Sequence, residues 1–272
     1  MVTRSVIGRN RKIFWQFGKG LHVAPSMVLN RSLLKLCLIL ITAKFQLPFE
    51  FYAFNIGAMM ERTQVIMVRH GETEWNLKLI RQGHLDSPLT ERGLAQAQAL
   101  AERLTRENFA ALYSSDLGRA VQTAEKIAQA TGHSIITDPR LRERHLGIFQ
   151  GLSGDEIRER FPNEYKLHRS VGPTYVIPGG ESVEQQVERN IVCLTEIGRE
   201  HVGETIVVVT HGGVLSGLFR HTFSIPFTAP RRFEFTNAGL NVFFYEDGNW
   251  FLQTWGDVSH LAPDGRSDGE DP

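Results

Sequence analysis

The 272-residue sequence predicts an α/β domain of three layers (α/β/α), with a mainly parallel sheet and a C-terminal antiparallel hairpin. Two observations carry this. The runs TQVIMV and TIVVVT are β-branched and apolar without polar alternation, the pattern of strands buried on both faces. Between them lie segments with apolar residues at helical spacing, so strands and helices alternate along the chain.

Taken in order, TQVIMV from Thr63 is the first strand. SPLTERGLAQAQALAERLTRE then opens with Thr90-x-x-Gly93 and places Leu94, Ala97, Leu100, Ala101 and Leu104 on one face, which is a helix packed on a sheet. FAALYSSD is a second strand. LGRAVQTAEKIAQATG is a second helix, apolar at Val121, Ala124, Ile127 and Ala128 and closed by Gly132. SIITDPRL reads as a third strand. The stretch from RERHLG to PGGES is irregular, with one short helix near Asp155 between Gly/Pro loops. After it, Val183, Val187, Ile191, Leu194 and Ile197 mark a long helix, and TIVVVT is the next buried strand. VLSGLFRHTF begins a helix, and FEFTNAGLNVFFYEDGNWFLQTWG is a hairpin turning at Asp247-Gly248.

Composition narrows the function. Formal net charge is zero, but residues 1–58 hold eight Lys/Arg against Glu50 alone, leaving 22 basic and 29 acidic residues from Met59 onward. An acidic main body disfavours nucleic acid as its general partner, so any anion it binds is held in a local pocket. Residues 1–58 read as an N-terminal extension, and 263–272 as a polar tail. The apolar run between Lys35 and Lys44 is shorter than the ~20 residues of a membrane span. Three readings of the extension stand: a signal peptide, an acid-poor presequence, or sequence upstream of a true start at Met59 or Met60. Cys37 and Cys193 have no metal or disulfide spacing and read as buried thiols of a cytoplasmic protein, with an N-terminal targeting segment left open. The LNVFFY strand is read either as core or as the interface of a homodimer.

In an open parallel sheet, ligands gather at the carboxyl ends of the strands. VIMV ends at Arg69-His70-Gly71, and IVVV at Thr210-His211-Gly212-Gly213. ALYSSD ends just before Arg119, and Glu143 follows the third strand. A single histidine after a strand is ordinarily a satisfied polar residue, but this grouping at four strand ends indicates chemistry. Two Arg and two His around a small cavity suit phosphoryl transfer. Guanidinium groups bind phosphate oxygens bidentately, a neutral imidazole attacks phosphorus, and the glycine after it lets the backbone come close. Such a site requires no metal and no other cofactor. Its partner is a small phosphorylated metabolite.

VRHGETEWN, GHLDSPLTERGLAQA, YSSDLGRAVQTAE, LRERHLGIFQG, PGGES and VVVTHGG, in this order, resemble the histidine phosphatase superfamily in its phosphoglycerate mutase-like branch. The resemblance runs from Gln64 to about His260 and implies a histidine phosphatase domain over 59–262. It implies that His70 is the residue phosphorylated in turnover, and that Arg69, Arg119 and His211 line the phosphate pocket. Asn76, Gln82 and Gly83 would add phosphate contacts, beside the backbone at Gly71 and Gly212. Glu143 would donate the proton to the leaving oxygen and then activate water. The related acid phosphatases take their acid from an Asp directly after the second His; Gly212 stands there in this chain, which favours Glu143.

The cover between Glu143 and His211, 68 positions by subtraction, is short compared with the mutases of that branch. Those enzymes also tend to carry Asn where this chain has Gly213. Both departures favour a metal-independent phosphatase of small phosphomonoesters. The alternatives are a 2,3-bisphosphoglycerate-dependent phosphoglycerate mutase and a non-catalytic binding module for phosphorylated ligands. His84 and His145 lie in motif loops and read as substrate contacts or polar rim positions, Arg231-Arg232 as a solvated face or, less favoured, a phosphate-attracting rim, and His22, His133, His168, His201, His221 and His260 as surface residues.

Overall fold

The computed structural model describes residues 62–261. The readings of residues 1–58 and 263–272 fall outside that range. Six strands form one sheet in the order β3-β2-β4-β1-β5-β6. They are β1 (Thr63–Arg69), β2 (Ala111–Ser114), β3 (Ile135–Thr137), β4 (Thr205–Thr210), β5 (Leu240–Glu246) and β6 (Asn249–Asp257). The first four are mutually parallel, while β5 pairs antiparallel with β1 and β6 antiparallel with β5. Asp247 and Gly248 both take positive φ at the β5–β6 turn, as the sequence predicts for a two-residue hairpin loop.

Alternate residues of the central strands feed two separate cores. Val65, Met67, Ile206 and Val208 face one side, where they meet Cys193, Leu194 and Ile197 of α6 (Val183–Glu200) and Val214, Leu215 and Leu218 of α7 (Gly212–Thr222). Ile66, Val68, Val207 and Val209 face the other side. There they meet Leu100, Ala101 and Leu104 of α2 (Glu91–Leu104) and Ala120, Ala124 and Ile127 of α3 (Gly118–Thr131). The period of two along each strand therefore produces the three layers. Cys193 is buried and free, and Cys37 lies outside the described residues. Among the described residues no helix is long and apolar enough to cross a membrane.

Three details differ from the sequence reading. Leu94 is 42% exposed, and Gln96, bonded to the Glu72 backbone N–H, takes a buried place on α2 instead. Phe233–Gly239 is not strand: it crosses the sheet end as irregular chain, and β5 begins at Leu240. Within LNVFFY, Phe243 and Tyr245 are buried, as the core alternative has it, while Val242 and Phe244 on the other face are half-buried. The cover holds two helices rather than one, α4 (Gly154–Arg160) and α5 (Pro162–Val171), because Pro162 ends the first at Phe161 and supplies a fixed φ to start the second. The remaining helix, α1 (Glu74–Leu77), is a single turn after β1.

Among the described histidines read as surface residues, His221 is exposed and His133, His168, His201 and His260 are half-buried. His133 stacks on Phe109 at 3.9 Å, and His201 bonds the Tyr113 hydroxyl at 2.9 Å. His168 of α5 packs against Phe149 and Tyr175, with centroids 5.9 and 6.0 Å away, beside the small core under the cover. Burial, reinforced by the charges of Arg144, Arg81 and Arg169, pushes its imidazole down to about 4. Between pH 6.5 and about 4 the unfolded chain therefore binds a proton at this position that the folded chain refuses, and stability falls as pH falls through that window. Denaturant unfolding of the wild type and His168→Gln at pH 7 and pH 5 should show the wild type losing more stability over the interval.

Candidate active site

The site is assembled by strand register. β1 and β4 pair from Gln64↔Thr205 to Arg69↔Thr210, so the next residue on each strand is a histidine. The ladder continues one step: the His70 N–H donates to the Thr210 carbonyl at 2.9 Å. From the other flank, Ala238 N–H donates to the Arg69 carbonyl at 2.9 Å and Asn237 Nδ2 donates to the His70 carbonyl at 2.7 Å. The imidazoles of His70 and His211 end 5.3 Å apart between centroids. Gly71 follows because its α-carbon lies against the backbone of Gly93; a Cβ there would stand 2.6 Å from the Gly93 carbonyl oxygen.

β2 lies beside β4 and delivers the next pair. Ser115 N–H donates to Val209 O at 2.9 Å, and the Ser115 hydroxyl meets His211 Nε2 at 2.8 Å. Helix α3 starts three residues on and carries Arg119, which is 1% exposed. Its Nη1 donates to Leu85 O and Asp86 Oδ1, both at 2.9 Å, and its Nη2 to Gly83 O at 2.8 Å. Gly83 sits at φ +56, and a Cβ there would run into the Gln150 side chain, so the loop that holds Arg119 needs glycine. Arg69 is 2% exposed, donates to Phe235 O at 3.3 Å and lies 5.4 Å from the centre of the Phe235 ring. Both guanidinium groups are fixed before any ligand arrives.

These cations set the state of the histidines. Burial first, then Arg119 and Arg69, push His70 well below the ordinary imidazole value; burial, Arg119, His70 and Arg69 do the same to His211. His70 is thus neutral at physiological pH. Its Nδ1 lies 2.8 Å from the Gly71 carbonyl, which can only accept, so Nδ1 carries the proton and Nε2 carries the lone pair.

Glu143 reaches the site from the irregular segment after β3. Its Oε2 accepts the Gly213 N–H at 2.8 Å; its Oε1 accepts the Arg144 N–H at 2.8 Å and Gln186 Nε2 at 3.0 Å. His84 Nε2 donates to the Glu143 main-chain carbonyl at 2.8 Å, and its ring meets His145 edge-on at 4.5 Å. Neither histidine lines the cavity.

Together these groups border a cavity of ≈ 200 Å³ whose wall includes His70, Arg119, Glu143, Gln82 and Gly83. Arg69 and His211 are packed behind that wall, as are Gly71 and Gly212, both buried. Asn76 stands off it: its Oδ1 accepts from the Thr73 N–H and hydroxyl, capping α1, and the Thr73 hydroxyl in turn accepts from Gln82 Nε2 at 2.8 Å. Sequence reasoning missed Arg81, Arg144, Gln186 and Ser216, which line the cavity, and so does Arg231, exposed at its edge as the rim alternative for Arg231-Arg232 has it. Arg231 lies 5.1 Å from the Phe235 ring, which aims it inward. No motif marks these positions, since they meet only through tertiary packing. Among the described residues no group of three His, Cys, Asp or Glu side chains is placed to hold a metal ion.

A sheet that sets two buried histidines and fixed arginines around one small cavity defines a phosphoryl-transfer fold. The family model of the histidine phosphatase superfamily (branch 1) matches residues 65–258, and the chain belongs to that superfamily. It is 44% identical over 210 residues to phosphoglycerate mutase-like protein 4 of Arabidopsis thaliana, covering 76% of this chain and 90% of that protein. It is 42% identical over 211 residues to the metal-independent phosphoserine phosphatase of Arabidopsis thaliana, covering 76% and 87%. Among solved structures, the phosphoserine phosphatase of Entamoeba histolytica in complex with 3-phosphoglyceric acid superposes with a TM-score of 0.66 at 29% identity, covering 74% of this chain and all of that one.

Gly213 has a specific geometric burden. A Cβ there would overlap Glu143 Oε1 and stand 2.6 Å from Gln186 Nε2, while its N–H must still reach Oε2. Gly213→Ala should displace the Glu143 carboxyl and, if that carboxyl serves in proton transfer, lower phosphatase turnover by about 10²-fold or more, while the melting temperature shifts only slightly. Paired kinetics and thermal melts measure both.

Proposed function

We propose that the protein hydrolyses small phosphomonoesters without a metal, through a phosphohistidine at His70. The observation that carries the reading is the Nε2 lone pair of a neutral, buried His70 at a cavity whose wall holds the already fixed Arg119 together with Arg81, Arg144 and Arg231. Arg119 in the wall takes the phosphoryl oxygens, with Gln82 and Gly83 closing the loop side; Arg69 adds positive charge from behind the wall and His211 packs beside the His70 ring, while Asn76 supports Gln82 through Thr73. His70 Nε2 attacks phosphorus as the ester P–O bond breaks, and the leaving oxygen takes the proton of the Glu143 carboxyl group. The resulting carboxylate then removes a proton from water as that oxygen attacks phosphorus. The P–N bond breaks, inorganic phosphate leaves, and His70 returns to its neutral form with Glu143 protonated. Charge spread over the equatorial oxygens meets donors that need no rearrangement, which is the largest source of rate enhancement in such reactions.

A mutase reading rests on the names of several relatives, the Arabidopsis mutase-like protein and bacterial proteins called probable phosphoglycerate mutase at 36–39% identity. Product analysis on 3-phosphoglycerate, with and without 2,3-bisphosphoglycerate, separates the two: inorganic phosphate supports hydrolysis, 2-phosphoglycerate supports isomerisation. A cytoplasmic setting belongs to the same proposal and draws on the free, buried Cys193. The substrate class is proposed to be phosphorylated metabolites bearing a second anionic group, like the ligands named for the related phosphoserine phosphatases. Arg231 in the cavity wall supports this.

Turnover of an aryl phosphate should persist in excess chelator and fall by about 10⁴-fold or more in His70→Ala, the scale expected when a covalent nucleophile is removed. Full activity in that variant would end the proposal. Arg231→Ala should raise KM for phosphoserine about 10-fold or more, the worth of one charge-assisted hydrogen bond, and leave KM for an uncharged aryl ester of phosphate within about twofold. Equal KM changes on both substrates would remove Arg231 from substrate selection.

A further inference from the structure

The segment that carries Glu143 lies between the 3₁₀ turn Pro139–Leu141 and the 3₁₀ turn Gly147–Phe149, outside any strand or α-helix. Its carbonyls have no ladder to join, yet a general acid must be held to a fraction of an ångström. The structure meets both needs from one face of α6, where Gln186, Arg189 and Asn190 stand at i, i+3 and i+4. Arg189 Nη1 donates to Arg140 O at 3.0 Å and Arg142 O at 2.8 Å, and Nη2 donates to Glu143 O at 2.8 Å. Asn190 Nδ2 adds a bond to Arg140 O at 2.6 Å. The guanidinium is itself clamped by Glu181, which accepts from Nε at 3.0 Å and from Nη2 at 2.5 Å, and whose Oε1 also accepts the His145 N–H at 2.7 Å. From the same helix face, Gln186 Nε2 holds the Glu143 carboxyl.

We propose that Arg189 is a positioning residue that fixes Glu143 for proton transfer by gripping three carbonyls of the segment bearing it. This rests on the reading of Glu143 as the acid. Arg189 does not line the cavity and does not touch substrate; its effect passes through the backbone of residues 140–143. A planar fork with fixed donor directions can span three carbonyls and a carboxylate together. A lysine ammonium keeps the charge opposite Glu181 but cannot reproduce that geometry.

The test is the dependence of kcat/KM on leaving-group acidity in wild type, Glu143→Gln, Arg189→Lys and Glu181→Gln, over a series from nitrophenyl to alkyl phosphates. kcat/KM reports steps up to leaving-group departure, so a misplaced acid hurts poor leaving groups and spares good ones. Arg189→Lys should lose about tenfold or more on alkyl phosphates and less than about threefold on nitrophenyl phosphate, part of the 10²–10⁴-fold typical of a general acid. Glu181→Gln should give the same pattern more weakly, and it decides the matter should Arg189→Lys fail to fold. A uniform loss across the series, or no loss, would overturn the positioning role. If Glu143→Gln itself shows no leaving-group dependence, the assignment of the acid fails first. If Glu143→Gln shows it and neither Arg189→Lys nor Glu181→Gln does, only the clamp is wrong.

Discussion

The parallel pairing of β1 with β4 is the constraint on which the site depends. Its register ends at Arg69↔Thr210, and the residues one step further, His70 and His211, emerge side by side at a sheet end buried beneath the cover. A slip of one residue in either strand would send one imidazole to the opposite face of the sheet. The slip is prevented far from the site. Val65 and Met67 with Ile206 and Val208 fill one core, Ile66 and Val68 with Val207 and Val209 fill the other, and a slip of β1 would carry Gln64 or Arg69 into a core place at one end of the run. Hydrophobic packing on both faces of the sheet thus sets the distance between two catalytic candidates.

Given that placement, electrostatics follows from burial. Arg69 and Arg119 bring positive charge to a position almost without water, where it is stabilised by backbone carbonyls at 83, 85 and 235 and, for Arg119, by Asp86. Burial first, and then the same charge, disfavour protonation of the neighbouring imidazoles and so keep a basic nitrogen available. An incoming phosphate dianion reverses the local field. A site of this design is poised for an anion and uncomfortable without one.

How far the sequence could be read depended on which forces act locally. Strand runs, the Thr90 cap, the Gly132 terminus and the Asp247-Gly248 turn are written in nearest-neighbour chemistry, and the structure reproduces them. The two histidines and Arg119 were legible because strand ends in a parallel sheet converge by rule. Leu94 was misread because one helical face was taken to be wholly apolar, whereas Gln96 satisfies a loop N–H and takes the buried place. Gln186 and Arg189 were invisible for another reason. Each bonds a partner at least 40 residues away in the chain, and nothing in its own neighbourhood distinguishes it from a surface side chain.

The hydrogen bond between His70 Nδ1 and the Gly71 carbonyl has a chemical consequence for the proposed intermediate. Histidine forms two phosphoramidate isomers, one on each ring nitrogen, and they differ in lifetime and in what recognises them. With Nδ1 held by its own backbone, only the tele isomer on Nε2 is within reach. The bond that fixes a ring in a resting site therefore dictates the regiochemistry of a covalent mark, and an isomer-selective probe would see this enzyme as a carrier of tele-phosphohistidine alone.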